Sequence, residues 1–240
     1  MTPPTSAAVP ASSGLPAAVL WDMDGTLVDT EPYWMAAEKE LVGSFGGTWT
    51  HDDGLLLVGQ GLWTSAEILR EHGVDLPADD IVHRLTDRVQ EKLATEGVPW
   101  RPGARELLSE LRERGVRTAL VTMSVRRMAE QIVENIPFDA FDLIVSGDEV
   151  EQPKPHPEPY LRAAEQLGVD PRDAVAIEDS LVGLAAAVAS GAAAIGVPHI
   201  VPLPTSDEHT LWDTLAGRTA DDIAAVAAAR GAASTEAEAR

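Results

Sequence analysis

The stretch that decides the fold is LWDMDGTLVDTEPYW, residues 20–34. An apolar run, residues 17–21, ends abruptly at Asp22 and Asp24, which stand one position apart and are followed by a glycine and a threonine. A short run rich in aliphatic residues and bounded by Asp or Gly is typical of a buried parallel strand. The sequence therefore predicts a buried strand that delivers two carboxylates at its carboxyl end.

Short apolar runs recur along the chain and alternate with helical patterns. The further predicted strands are residues 116–121, 142–146, 174–178 and 193–197. The helical patterns between them cover residues 104–115, 124–136, 158–168 and 180–191. Ser124 is interpreted as the N-cap of the second of these helices, and Arg126 and Arg127 as part of its solvated face. Regular alternation of strands and helices predicts an α/β fold with a doubly wound parallel sheet.

Residues 31–100 interrupt this alternation with three consecutive helical patterns. These patterns cover residues 31–45, 64–73 and 77–97. We interpret them as a helical insertion after the first strand, so that the α/β core is discontinuous. The predicted parts are a loose N-terminal tail (1–16), an α/β core (17–31 and 101–217), a helical cap (32–100) and an Ala-rich acidic tail (218–240), helical to about Arg230 and disordered beyond it.

Composition excludes several classes of function. The chain has 240 residues, 45% of them apolar, no cysteine, and a formal net charge of -21. Such a charge argues against binding nucleic acid or an anionic membrane, both of which require a basic face. No apolar run approaches the ~18 residues of a membrane helix, and the start lacks the cationic and apolar regions of a signal peptide. We therefore expect a cytoplasmic protein, and a monomer.

Polar residues follow the predicted strands at the points where these strands end. They are Asp22, Asp24, Thr122, Lys154, Glu178 and Asp179. Because the carboxyl ends of parallel strands meet at one edge of a sheet, and ligands bind there, we expect these side chains to converge.

Convergence creates an electrostatic demand for cations. Two carboxylates about 4 Å apart repel by roughly 4 kcal/mol at an effective dielectric constant of 20. Oxygen ligands without cysteine or clustered histidine favour a hard ion, and Mg²⁺ is the usual one where phosphates are handled. Thr122 and Lys154 supply the hydroxyl and ammonium donors that a phosphate would accept. The chemistry indicated is attack of a carboxylate on phosphorus.

Four motifs in this order resemble those of the haloacid dehalogenase-like hydrolase superfamily. They are DMDGT at 22–26, the strand-end Thr122, Lys154 within KPHPEPY, and EDS at 178–180. The resemblance covers about residues 17–215 and implies a Rossmann-like core. The insertion resembles the small helical cap of the subgroup that contains phosphoglycolate phosphatase, β-phosphoglucomutase and sugar-phosphate phosphatases.

The resemblance implies a role for each matching residue. Asp22 would be the nucleophile and a metal ligand. Asp24 would bind the metal through its backbone carbonyl, protonate the leaving oxygen and then deprotonate the attacking water. Thr122 would bind the phosphate, and Lys154 would neutralise the oxygens of the nucleophile and the phosphate.

The remaining implied roles concern the metal, the turn and the cap. Asp179 would bind Mg²⁺, and Glu178 would either bind it directly or hold it through another ligand. Gly25 would allow a sharp backbone turn under the phosphate. The candidates for substrate specificity in the cap are Gln60, Leu62 and Trp63, for which packing is the alternative interpretation.

The resemblance leaves three functions open. The first is an Mg²⁺-dependent phosphatase of small phosphorylated metabolites, of the sugar phosphate or phosphoglycolate type, acting through an aspartyl-phosphate. The second is a β-phosphoglucomutase-like sugar phosphomutase, against which two departures count: Trp34 stands where that family has a histidine, and Leu62 where it has an arginine. The third is a catalytically silent binding module, which usually lacks one of the catalytic residues present here.

Overall fold

The computed structural model describes residues 14–238, with side chains up to residue 231. Most of the predicted N-terminal tail lies outside the described residues. Within them, no helix combines the length and the apolar character that crossing a membrane demands.

Six parallel strands form one sheet. In chain order they are β1 (Ala18–Trp21), β2 (Arg117–Val121), β3 (Leu143–Val145), β4 (Ala174–Glu178), β5 (Ala193–Gly196) and β6 (His209–Leu211). Their spatial order is β3-β2-β1-β4-β5-β6, so β1 lies near the centre between β2 and β4. The chain winds first to one side of β1 and then to the other, which places a topological switch point at the carboxyl end of β1.

Helices cover both faces of this sheet. The helices of the α/β part are α5 (Ala104–Glu113), α6 (Arg126–Glu134), α7 (Glu158–Leu167), α8 (Leu181–Ser190) and α9 (Ala220–Glu238). Side chains of β1 alternate between the two faces: Val19 and Trp21 belong to the cluster of α5 and α6, whereas Leu20 belongs to the cluster of α7 and α8. The predicted doubly wound α/β fold is therefore confirmed.

Four helices lie between β1 and α5. They are α1 (Glu31–Ser44), α2 (His51–Leu55), α3 (Leu62–Glu71) and α4 (Ala78–Glu96), and we call this segment the helical insertion. Helix α4 packs against α1 and α3 through buried residues such as Ile81 and Val89. The two connections to the sheet are paired, because the Asp29 amide donates to the Pro99 carbonyl at 2.7 Å and the Arg101 amide to the Leu27 carbonyl at 3.0 Å.

The structure contains elements that the sequence analysis did not predict. Strand β6 has only three residues, all half-buried, and pairs with β5 alone. It has no apolar run from which the sequence could have predicted it. Helix α2 is held by a capping box between Thr50 and Asp53 rather than by an apolar face. Helix α9 continues to Glu238, beyond the predicted end near Arg230, in a segment whose abundant alanine favours helix.

Candidate active site

The strand-end residues converge on the side chain of Lys154. Its Nζ atom donates to Asp22 Oδ1 at 2.8 Å, to Glu178 Oε1 at 2.7 Å and to the Val121 carbonyl at 2.9 Å. The three acceptors come from the ends of β1, β4 and β2, which are neighbours in the sheet. Sheet topology thus brings the three acceptors together, and the loop between β3 and α7 brings Lys154, 132 positions from Asp22, onto them.

Lys154 is buried but remains an ammonium ion. Burial disfavours its charge, yet the adjacent carboxylates of Asp22 and Glu178 outweigh this and raise the pKa of Lys154 above its usual value. The buried Tyr160 hydroxyl donates to the same Glu178 oxygen at 2.5 Å. Glu178 is therefore held from two sides, and Lys154 in turn is fixed against Asp22.

Three carboxylates meet beside this lysine. Oxygen atoms of Asp22, Glu178 and Asp179 all lie within 4.8 Å of one another. Burial, then the charge of Glu178, raises the pKa of Asp22 to about 7, and burial followed by the charges of Asp22 and Glu178 raises the pKa of Asp179 well above its usual range. One ammonium group does not balance this charge, so the cluster favours an additional cation.

Two glycines permit this crowding. A Cβ atom on Gly25 would lie 2.0 Å from Asp179 Oδ2, and Gly25 has φ +88°, a conformation that other residues rarely adopt. A Cβ atom on Gly183 would lie 1.9 Å from Glu178 Oε2. The turn at Gly25 therefore makes room for the Asp179 carboxylate. The sequence analysis expected this turn to make room for a phosphate.

The residues present fit a hard divalent cation. Asp22 Oδ2 is buried and accepts no hydrogen bond from the described part of the chain, which leaves one oxygen of this carboxylate without a partner. Its neighbours are the carboxylates of Glu178 and Asp179, and oxygen donors of this kind suit Mg²⁺. The predicted metal contact of the Asp24 backbone carbonyl stays a prediction.

Asp24 is not one of the carboxylates of this cluster and is surrounded by hydrogen-bond donors. Its Oδ1 atom accepts from Thr30 Oγ1 at 2.5 Å and from Trp34 Nε1 at 3.1 Å. Its Oδ2 atom accepts from Ser124 Oγ at 2.7 Å and from Thr122 Oγ1 at 3.3 Å. The two aspartates after β1 therefore occupy different surroundings on the same pocket, one among carboxylates and a lysine, the other among neutral donors.

The interpretation of Ser124 as a helix cap is wrong. The N-cap of α6 is Val125, and the Arg126 amide is instead capped by the Asp148 carboxylate at 3.0 Å, which leaves the Ser124 hydroxyl free to enter the site. The side chains of Arg126 and Arg127 are 36% and 40% exposed, in keeping with the predicted solvated face, and each also forms an ion pair. Arg126 pairs with Glu149 in its own α/β part, whereas Arg127 reaches the helical insertion and contacts Asp87 at 2.6 Å.

The structure separates the three candidate specificity residues. Gln60 and Leu62 line the same pocket as Asp22 and Asp24. Trp63 lines a neighbouring pocket, with its indole nitrogen donating to Asp79 at 2.7 Å. The pocket also contains residues of the helical insertion that sequence reasoning missed: Glu31, Trp34, Glu38, Leu57, Ser65 and Leu85. A polar residue on the apolar face of a helix was the sequence feature that could have identified some of these pocket residues.

Comparison with known proteins places the chain in a family. A profile described as haloacid dehalogenase-like hydrolase matches residues 16–191. The chain is 34% identical to the phosphorylated carbohydrates phosphatase of Thermotoga maritima, over 76% of this chain and 85% of the relative, and 32% identical to hexitol phosphatase B of Escherichia coli strain K12, over 75% and 83%. The predicted enzyme class, a phosphoric monoester hydrolase, agrees with both names.

A solved structure gives the same result. The fold is similar to that of a mutant of CbbY from Rhodobacter sphaeroides in complex with xylulose-(1,5)bisphosphate, with a TM-score of 0.75 and 31% identity, covering 85% of this chain and 96% of that one. The chain belongs to the haloacid dehalogenase-like hydrolase family.

Proposed function

We propose that the protein is an Mg²⁺-dependent phosphatase that hydrolyses monophosphate esters of small metabolites through a phosphorylated Asp22. The observation that carries the proposal is the environment of Asp22. One of its oxygens is held by Lys154 at 2.8 Å, and the other is buried without a hydrogen-bond partner in the described part of the chain. Asp22 therefore has one oxygen fixed by an ion pair and a second oxygen that no described group holds. This arrangement suits attack on phosphorus better than a purely structural ion pair.

In the first step, an Asp22 oxygen forms a bond to phosphorus and the bond from phosphorus to the ester oxygen breaks. Asp24 gives its proton to the departing oxygen, which leaves as an alcohol. In the second step, Asp24 takes a proton from a water molecule, which attacks phosphorus and releases inorganic phosphate and free Asp22. The four donors around Asp24 fix its position for both transfers.

The surrounding groups would hold the phosphate and its charge. Lys154 and the hydroxyls of Thr122 and Ser124 line the pocket and supply donors for phosphate oxygens. Asp22, Glu178 and Asp179 would hold Mg²⁺. When bound, the ion would offset the negative charge that gathers on the phosphate oxygens.

The helical insertion would act as the cap, residues 32–100, over the α/β core. Two observations support this role: its residues form one wall of the pocket, and its two connections to the core are paired beside the site. Its hinges would lie near residues 30–32 and 98–102. Closure of such a cap would exclude water from the phosphoenzyme until the leaving group departs.

Phosphate release from a panel of phosphorylated metabolites, with Mg²⁺ and with EDTA, tests the proposal, with Asp22→Asn beside the wild type. We expect Mg²⁺-dependent release that falls by about 10⁴-fold or more in the variant. Asp22→Asn with unchanged turnover would refute the assigned nucleophile. No release from any compound would favour the mutase, tested with a hexose 1-phosphate and its bisphosphate, or the silent binding module.

A further inference from the structure

Helix α4 of the helical insertion meets helix α6 of the α/β part through the side chain of Arg127. The Nη2 atom of Arg127 lies 2.6 Å from Asp87 Oδ1 and donates to the His83 carbonyl at 3.2 Å. Its Nη1 atom donates to the side-chain oxygen of Gln90. Among the described residues, this is the one ion pair that joins a helix of the insertion to the α/β part. Arg127 therefore contacts three positions of α4 at once.

The contact between α4 and α6 is polar on both sides. The side-chain amide of Gln90 donates to the Arg127 carbonyl at 3.2 Å, and that of Gln131 donates to the Gln90 carbonyl at 3.2 Å. The side chains of Arg127 and Asp87 remain 40% and 68% exposed. Water can replace hydrogen bonds at such an exposed surface, and an exposed ion pair contributes little to overall stability. This interface therefore suits a contact that forms and separates repeatedly.

Both sides of this contact continue into the pocket. Pocket residues of the helical insertion form the insertion wall, and those of the α/β part form the α/β wall. Leu85, two positions before Asp87 on α4, belongs to the insertion wall. Ser124, three positions before Arg127, belongs to the α/β wall and donates to Asp24 at 2.7 Å. The position of α4 against α6 therefore sets the distance between the two walls.

The neighbouring Arg126 bonds within the α/β part alone. Its Nη2 atom lies 2.5 Å from Glu149 Oε2 and donates to the Ile144 carbonyl at 2.7 Å. Its side chain is 36% exposed, close to the value for Arg127. Movement of the insertion away from the core would break the contacts of Arg127 and leave those of Arg126 intact. The two arginines therefore form a matched pair that differs in which part of the protein is contacted.

We infer that Arg127 is a positioning residue, which holds α4 against α6 and thereby keeps the helical insertion closed over the pocket. Arg127 does not itself line the pocket, so it acts on the reaction only through the position of the insertion. The inference rests on the proposed role of the insertion as a cap, and it adds a residue outside the pocket that favours closure.

The first test measures the position of the insertion without any activity. The chain has no cysteine, so two introduced cysteines can carry spin labels at defined positions. Asp80→Cys on α4 and Glu134→Cys on α6 are exposed and lie outside the pocket. Electron–electron double resonance on the full chain, with Mg²⁺ and without substrate, measures the distance between the labels. Arg127→Ala should increase the population at longer distances about threefold, as expected for loss of an exposed ion pair, and Arg126→Ala should leave the distribution unchanged.

Kinetics with p-nitrophenyl phosphate provide the second readout. A smaller closed population lowers the apparent affinity in proportion, so Arg127→Ala should raise KM about threefold and change kcat by less than about twofold. Arg127→Lys keeps the charge opposite Asp87 and should recover part of this effect. Arg126→Ala should lower the thermal unfolding temperature and keep KM, which separates positioning from a general loss of stability.

The outcomes separate this inference from the proposed function. An unchanged distance distribution in Arg127→Ala, or an equal change in Arg126→Ala, would overturn the inference. A loss of kcat at constant KM in Arg127→Ala would also overturn it, because the effect would then pass through α6 to Ser124. Absence of Mg²⁺-dependent phosphate release in every variant would overturn the phosphatase, and the distance measurement would still decide whether Arg127 holds the insertion.

Discussion

The two walls of the pocket are built by different means. On the α/β wall, neighbouring parallel strands end at the same edge. Asp22 and Glu178 therefore lie side by side, and Lys154 Nζ donates to them at 2.8 Å and 2.7 Å. On the insertion wall, Glu38 and Ser65 reach the pocket only because α1, α3 and α4 pack in one particular way. The first wall carries the charged groups that we propose act on the phosphate. The second carries neutral and acidic groups that we propose face the remainder of the substrate.

The largest effect should follow from removal of the lysine on the α/β wall. Lys154→Met leaves Asp22 and Glu178 buried without their cation, which should lower the free energy of unfolding by about 3–5 kcal/mol in the absence of Mg²⁺. Turnover should fall by about 10³-fold, since a donor to the transition-state charge is lost. Thermal unfolding and phosphate release measure the two effects, and the exposed Lys39→Met is the control. Wild-type stability in Lys154→Met would contradict the buried ion cluster.

The crowding at Gly25 gives the next largest effect. Gly25→Ala places a methyl group against Asp179, so we expect weaker Mg²⁺ activation in addition to about 1 kcal/mol of backbone strain. Gly115→Ala is a matched control, because Gly115 also has positive φ but no heavy atom of another residue near its Cβ position. The measurement is the Mg²⁺ concentration that gives half-maximal activity. The Mg²⁺ concentration at half-maximal activity should rise only in Gly25→Ala. An equal rise in both variants would show that backbone strain, and not the contact with Asp179, causes the change.

Trp34 joins the two walls and should give an intermediate effect. It lies on α1 of the insertion, and its indole nitrogen donates to Asp24. Trp34→Phe keeps the apolar ring and removes this donor, which should lower kcat by about tenfold while KM changes little, since three hydroxyl donors still hold Asp24. Steady-state kinetics on p-nitrophenyl phosphate provides the check. A change in KM alone would indicate that Trp34 acts on the substrate and not on Asp24.

The last effect concerns stability on the insertion wall and not catalysis. Burial raises the pKa of Glu38 from its usual 4.5 to about 7, so the folded protein binds a proton more tightly than the unfolded chain. Stability therefore falls as pH rises from 4.5 to 7 and stays low above it. Glu38→Gln removes this cost and should raise the free energy of unfolding at pH 8 by up to about 3 kcal/mol.

Thermal unfolding at pH 8 and pH 5 measures the Glu38→Gln effect. The gain at pH 8 should shrink towards pH 5, where the wild-type carboxyl group is itself protonated in the folded state. A gain of equal size at both pH values would point to a change in packing. The exposed Glu40→Gln should show no such pH dependence.

The same contrast explains what the sequence could predict. Asp22, Lys154 and Asp179 could be assigned to one cluster because the convergence of parallel strands follows from topology alone. Ser124 was misinterpreted because a serine before a helix is usually a cap, and the Asp148 carboxylate that takes this role lies on a distant loop. Glu38 could be recognised only as a polar residue on the otherwise apolar face of α1, because its access to the pocket depends on helix packing that periodicity does not encode. The metal contact of Asp24, monomeric state and cytoplasmic location stay predictions.

The proposed mechanism depends on Asp22 as the residue that attacks phosphorus. It is tested most directly in Asp24→Asn, in which the proton transfers that complete turnover are lost but the nucleophile remains. This variant should be mixed with p-nitrophenyl phosphate, whose leaving group needs little protonation, in the presence of Mg²⁺ and quenched in acid. Mass spectrometry of the peptide that contains residues 17–30 should then find one phosphoryl group on Asp22. A phosphoryl group on another residue, or rapid nitrophenol release without any phosphorylated protein, would refute Asp22 as the nucleophile.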